Sequence, residues 1–272
     1  MKKLCAFLAA LALVLSLAAC GESDGTGFRT LEVIGQRHYS LIFRLGDRIA
    51  PEVNAAMGRL SRTGELSSAS LRWLGRDAIV LSGESTGEES PAPEATDAPE
   101  PDSAELPERT LIVGVEEEFA PMSYVDSGVL CGMSIDIASA LGTALGWRVS
   151  YQPISAAEVE AQLSSGNIDV ALGFDPGSVK EGAYTIGITY MSSDIVLAAR
   201  RSGVRSVRDI RGERIGTVDD PAVIAAVKAN EHITRYASGA TVYLSSRRCV
   251  SAMDNGWCAA IAMDEIMLEY AR

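Results

Sequence analysis

HYSLIFRLGDRIAPEVNAAMGRLSRTGELSSASLRWLGRD, residues 38–77, carries a strand and two helices in its order of residues alone. Residues 39–43, YSLIF, are aromatic and aliphatic and read as a strand. Ile49, Val53, Met57 and Leu60 then recur at spacings of three and four, the stripe of an amphipathic helix. Asp47 stands near its start as a cap. Thr63-Gly64-Glu65-Leu66 interrupts the stripe, and a second short helix follows with Leu71 and Trp73.

On either side of this stretch the composition changes. Residues 83–108 read GESTGEESPAPEATDAPEPDSAELPE, with half of the chain's 10 prolines, many acids and no base. Such a segment cannot bury enough apolar surface to offset its chain entropy, and its charges repel, so an extended linker is expected. On the other side, residues 31–34 read as another short strand. The first residues, MKKLCAFLAALALVLSLAAC, place two lysines before an apolar run that ends in small residues and Cys20. The run is short for a membrane span and fits a cleaved lipoprotein signal, with Cys20 as the lipid-bearing first residue of the mature chain. Each buried acyl CH₂ contributes about 0.8 kcal/mol to such an anchor. The mature protein is then extracytoplasmic, held to the membrane by lipid.

The formal net charge of −12 argues against nucleic-acid binding, which needs a basic face. Of five cysteines, Cys5 leaves with the signal and Cys20 takes lipid. Cys249 and Cys258 flank an expected helix–turn–strand, so an oxidising compartment allows a local disulfide there; Cys131 is left as a small hydrophobe. No cysteine or histidine spacing suggests a metal, and no cofactor is expected.

Beyond the linker, strands are expected at 111–115, 148–151, 168–172, 195–199, 214–217 and 259–262. Helices are expected at 135–145, 159–163, 222–229, 247–253 and 264–270. The alternation implies α/β architecture with mostly parallel pairing.

Five stretches carry a resemblance. They are LIVGVEEEFAPMSY with CGMSIDIASALG (residues 111–142), LSSGNIDVALG (163–173), DIRGERIGTV (209–218), NGWCAAIAMDE (255–265) and the opening 38–77 segment. Together they resemble the amino-acid-type, family 3 bacterial extracellular solute-binding proteins. Met133 replaces an aromatic of the family pattern, and Asp136 matches its acid. The last stretch resembles the end of such a protein, yet it comes first. The resemblance therefore implies an α/β, two-lobe, periplasmic-binding-protein type II-like (Venus-flytrap) fold that is circularly permuted. The implied organisation is a signal peptide at 1–19, a tether at 20–27, and the displaced carboxyl-terminal segment, a hinge strand plus lobe-one helices, at 28–82. The linker at 83–108, lobe one at 109–189, the hinge at 190–194 and lobe two at 195–272 complete it.

The resemblance also implies a ligand between the lobes. Phe119 matches the aromatic that stacks on ligand, and Glu116 the acid beside it. Lys180 falls where an arginine receives an α-carboxylate, and Asp264 where a carboxylate receives an ammonium. Phe174, Asp175 and Asp219 complete the expected lining. Phe119 also fits a core aromatic, Glu116 a structural acid, Lys180 an exposed loop cation and Asp264 a helix cap. The second stacking aromatic is missing near Ala156, and a helix start reads Asp219-Asp220-Pro221-Ala222. Glu116, Asp175, Asp219, Asp220 and Asp264 together favour a cationic or amine-bearing ligand.

The implied function is the binding component of an ABC importer, a monomer that docks on a membrane permease. A degenerate sensor or adaptor is the alternative. An enzyme is disfavoured: His38 and His232 sit in no recognisable catalytic pattern, and the GxSxG string at 83–87 lies in the acidic linker.

Overall fold

Two strands of 17 residues, β1 (Phe28–Arg44) and β9 (Tyr184–Arg200), run antiparallel from Phe28 opposite Arg200 to Arg44 opposite Tyr184. The structure, a computed structural model, describes residues 27–82, 109–179, 184–200 and 204–271. At one end, residues 40–43 of β1 pair antiparallel with β8 (Val170–Phe174). There β8 is parallel to β3 (Thr110–Val115), and β3 to β7 (Arg148–Pro153). At the other end, residues 195–198 of β9 pair antiparallel with β12 (Ala260–Asp264). That strand is parallel to β10 (Arg214–Val218), which is parallel to β11 (Gly239–Tyr243). The order is β11-β10-β12-β9-β1-β8-β3-β7, with β2 (Ile79–Ser82) beside β9. Two α/β lobes result, and between them residues 36–39 of β1 face 191–194 of β9.

Pairing is thus mixed, where mostly parallel pairing was expected. Strands joined by a helix within one lobe are parallel, whereas β1 and β9 cross between lobes in opposite directions and every pairing they make is antiparallel. The two strands expected at 31–34 and 39–43 are one, because Gly35 continues the extended chain. A Cβ at residue 35 would stand 3.2 Å from the Ala226 Cβ, so the glycine lets a lobe-two helix lie close against β1.

Helix α1 (Ala50–Arg62) buries Val53, Met57 and Leu60, the stripe read from the sequence, at about 1.5–3 kcal/mol each. Pro51 sits in its first turn, where a missing N–H leaves no bond unmade, and Asp47 Oδ1 accepts from Ile49 N at 3.0 Å. With α2 (Glu65–Leu74) it packs on α3 (Met133–Leu145), which buries Ile137, Ala138 and Leu141. Asp136 of α3 accepts from Arg72 Nη1 at 2.9 Å and Trp73 Nε1 at 2.8 Å, tying the early segment to the later one. The remaining helices are α4 (Val159–Ser165), α5 (Pro221–Ala229), α6 (Glu231–Tyr236), α7 (Ser246–Asp254) and α8 (Glu265–Tyr270).

A small antiparallel sheet, β4 (Glu118–Phe119), β5 (Ser123–Asp126) and β6 (Val129–Cys131), is invisible to periodicity because its strands are so short. The expected disulfide is absent: Cys249 and Cys258 are free, buried thiols. Both flank Gly216, each sulfur 3.1 Å from where a Cβ would stand there, and burial pushes the Cys258 thiol up to about 11. Among the described residues no helix is long and apolar enough to cross a membrane. The signal, Cys20, the acidic linker and Lys180 lie outside the described residues.

Candidate functional site

Strand alternation across the crossing of β1 buries Arg37 and Tyr39 and exposes Gln36 and His38. Arg37 is 2% exposed and lies between side chains of the two lobes. Its Nη1 donates to Asp220 Oδ2, and its Nη2 lies 3.9 Å from Glu116 Oε2. The guanidinium carbon is 4.3 Å from the Phe119 ring centroid and 5.3 Å from that of Tyr39. The two rings stack at 6.1 Å, so a planar cation rests on an aromatic face away from water, where cation–π attraction is strongest.

Each partner is held by its own element. Glu116 follows β3. Phe119 lies in β4, whose loop is pinned by Met122 N to Phe119 O at 2.8 Å, Met133 N to Pro121 O at 3.0 Å and Ser134 N to Met122 O at 2.8 Å. Gly132, at φ +130°, permits this docking; a Cβ there would meet the Met122 carbonyl oxygen at 2.3 Å. Asp220 caps α5, its Oδ1 accepting from Ala222 N at 2.9 Å and Val223 N at 3.1 Å. Oδ2 is left for Arg37, so one carboxylate satisfies both a helix end and the buried cation.

Asp264 is fully buried and caps α8. It accepts from Ile266 N, Tyr39 OH and Ser193 Oγ, each at 2.8 Å, and so links β12 to both crossing strands. Asp175 accepts from Gly177 N at 2.7 Å and from His38 N at 3.2 Å, bracing the crossing from lobe one. Phe174 packs away from the cleft, in a lobe-one cluster with Ile42, Ile154, Val159 and Leu163. Asp219 is exposed. With Glu116, Phe119, Asp220, Ser245 and Met267 it lines a cavity of about 100 Å³ between the lobes. This cavity adjoins a second one between the lobes, of about 310 Å³ and sharing Glu118, Leu244 and Ser245, which reaches the roughly 300–1,000 Å³ of ligand pockets. The structure thus brings Glu116, Phe119, Asp219 and Asp264 to the cleft or its walls and leaves Phe174 in the core.

Burial lifts the Glu116 carboxyl to about 7, against the pull of Arg37 and with the push of Asp220. Burial likewise raises Asp264, against Arg37 and its three hydrogen bonds. For Arg37 itself, burial would lower the guanidinium, but Asp220, Tyr39, Glu116 and Asp264 outweigh it and the group stays protonated. Arg37, Tyr39 and Ser193 are the site residues that sequence reasoning passed over. The available signal was parity: Arg37 shares the buried face of its strand with Tyr39 and Leu41, where a lone cation must have a partner. What the arrangement can do is hold charge, fixing a planar cation between carboxylates of both lobes.

The profile of the bacterial extracellular solute-binding proteins, family 3, matches residues 111–260. The arginine-binding extracellular protein ArtP of Bacillus subtilis (strain 168) is 22% identical over 115 residues, covering 42% of this chain and 45% of that protein. The match therefore spans under half the length of that relative. An ABC uptake transporter substrate-binding protein from Streptococcus pneumoniae with bound histidine aligns with a TM-score of 0.47 at 21% identity, over 59% of this chain and 68% of that one. The ancestral amino acid-binding protein AncCDT-1, a precursor of cyclohexadienyl dehydratase, aligns with a TM-score of 0.45 at 19% identity, over 59% and 72%.

Proposed function

This chain belongs to the bacterial extracellular solute-binding proteins of family 3, and on that basis we propose that it captures a cationic amino acid or related amine between its lobes. The captured solute is then handed to an ABC permease. The observation that carries the reading is the charge around Arg37: among the described residues this one buried guanidinium is influenced by the carboxyls of Glu116, Asp220 and Asp264. Carboxylates in excess, shielded from water, favour a second cation over a neutral or anionic solute. The name of the arginine-binding relative points the same way.

In this reading Cys20 carries lipid and residues 20–27 are the tether. Residues 28–82 are the carboxyl-terminal part of the fold moved to the front, with residues 83–108 joining it to the rest of the chain. Support comes from the family match, which begins at residue 111, and from the way the earlier segment completes the architecture. β1 pairs with β8 and β9, and Arg72 and Trp73 bind Asp136. Residues 36–39 and 190–194 are then the hinge.

A second reading is an adaptor that no longer takes solute. It is favoured by Arg37, which already stands between Phe119, Glu116 and Asp220. Thermal unfolding of ligand-stripped protein against a panel of amino acids and amines separates the two. A true ligand at one hundred times its Kd adds about 2.7 kcal/mol, roughly 5–10 °C in midpoint. A shift with arginine, lysine or a diamine is expected. A flat response across the panel would transfer the case to the adaptor.

A further inference from the structure

Arg37 does more than balance charge. Its guanidinium carbon lies over the Phe119 ring from lobe one, one terminal nitrogen donates to Asp220 from lobe two, and the other approaches Glu116 from lobe one. Those are contacts a captured cationic solute would make, and they draw both lobes onto one group. The side chain comes from the crossing of β1, which belongs to neither lobe. The fit is incomplete: Nε is buried and has no hydrogen-bond partner among the described residues, and the Glu116 contact at 3.9 Å is too long for a hydrogen bond. The subsite recognises a planar cation better than this tethered one can satisfy it.

We propose that Phe119, Asp220 and Glu116 form a guanidinium-binding subsite that the chain fills with its own Arg37, so that a guanidinium solute enters only when this side chain is displaced. The inference rests on reading the interlobe cleft as the binding site. Arg37 is then a built-in competitor. A group held beside its site has an effective concentration on the order of millimolar or above. The apparent affinity for a free solute falls by the fraction of molecules in which the subsite stands open. The occupied state also holds the lobes together without solute.

The experiment compares the full-length wild-type chain and Arg37→Ala, both in detergent, titrated calorimetrically with methylguanidinium, with methylammonium as a control of equal charge and no planar face. Arg37→Ala is expected to bind methylguanidinium at least tenfold more tightly than wild type, with less than a threefold change for methylammonium. Equal methylguanidinium affinity in the two proteins overturns the proposal. So does an equal gain for both cations, which would mark a plain acidic patch. If Arg37→Ala does not fold unaided, it and Arg37→Gln are refolded with methylguanidinium present; recovery of the folded state supports the subsite, and failure of both to recover overturns it. A wild-type chain that binds no amino acid leaves this result standing. A wild-type chain that binds amino acids beside an unresponsive Arg37→Ala sinks this inference alone.

Discussion

Two arginines sit on the two long strands and meet similar partners in opposite surroundings. Arg200, at the end of β9, places Nε and Nη2 each 2.7 Å from an oxygen of Asp254, fork against fork, with its guanidinium carbon 4.5 Å above Phe28. Arg37 makes one bond to Asp220, reaches toward Glu116 and leaves Nε without a hydrogen-bond partner among the described residues. By geometry Arg200 has the better ion pair. Its side chain and that of Asp254 are 40% and 42% exposed, however, against 2% for Arg37. Water and salt have already discounted the first pair. Nothing replaces the partners of the second, and breaking a buried pair strands a charge. Burial, more than alignment, decides which arginine governs the molecule.

The largest test of that contrast is Asp220→Asn. Asparagine still caps α5, so the loss isolates the charge opposite Arg37. An uncompensated buried guanidinium costs about 3–5 kcal/mol, and a fall of roughly 10 °C in the unfolding midpoint is expected by calorimetry. A drop of only one or two degrees would mean that Glu116 takes over the pairing.

A smaller effect is expected from pH. Glu116 titrates near 7 in the folded chain, well above the ordinary 4.5 of a free glutamate. Between those values the native state holds a proton that the unfolded chain releases, so stability is full below about pH 4.5 and falls as pH rises through 7. With the side chain 24% exposed, the loss at this group is about 1–2 kcal/mol. Denaturant midpoints measured from pH 5 to 8 should fall in wild type and flatten in Glu116→Gln. Parallel slopes in the two proteins would place the titration elsewhere.

The smallest change is expected from Arg200→Ala. Despite its fork geometry the exposed pair contributes less than about 1 kcal/mol, and the difference from wild type should shrink further in 0.5 M salt. A loss as large as that of Asp220→Asn would reverse the contrast between the two arginines.

The sequence by itself determined what depends on near neighbours. The 3.6-residue stripe of Val53, Met57 and Leu60 is a property of α1 alone, and so is the strand at residues 111–115 that opens onto Glu116 and Phe119. An acidic cleft around Glu116, Asp220 and Asp264 was implied by the family resemblance and not by any periodicity. Tertiary structure alone decided which of them would share a cation. Asp220 is 183 residues from Arg37 in the chain, and no local pattern couples positions so far apart. It also turned Asp264 into a knot for Tyr39 and Ser193, and turned Phe174 into the lobe-one core. Periodicity reports which face of a strand is buried. What lies against that face depends on how two lobes close around β1 and β9, and that choice is made by the long-range packing of the whole chain.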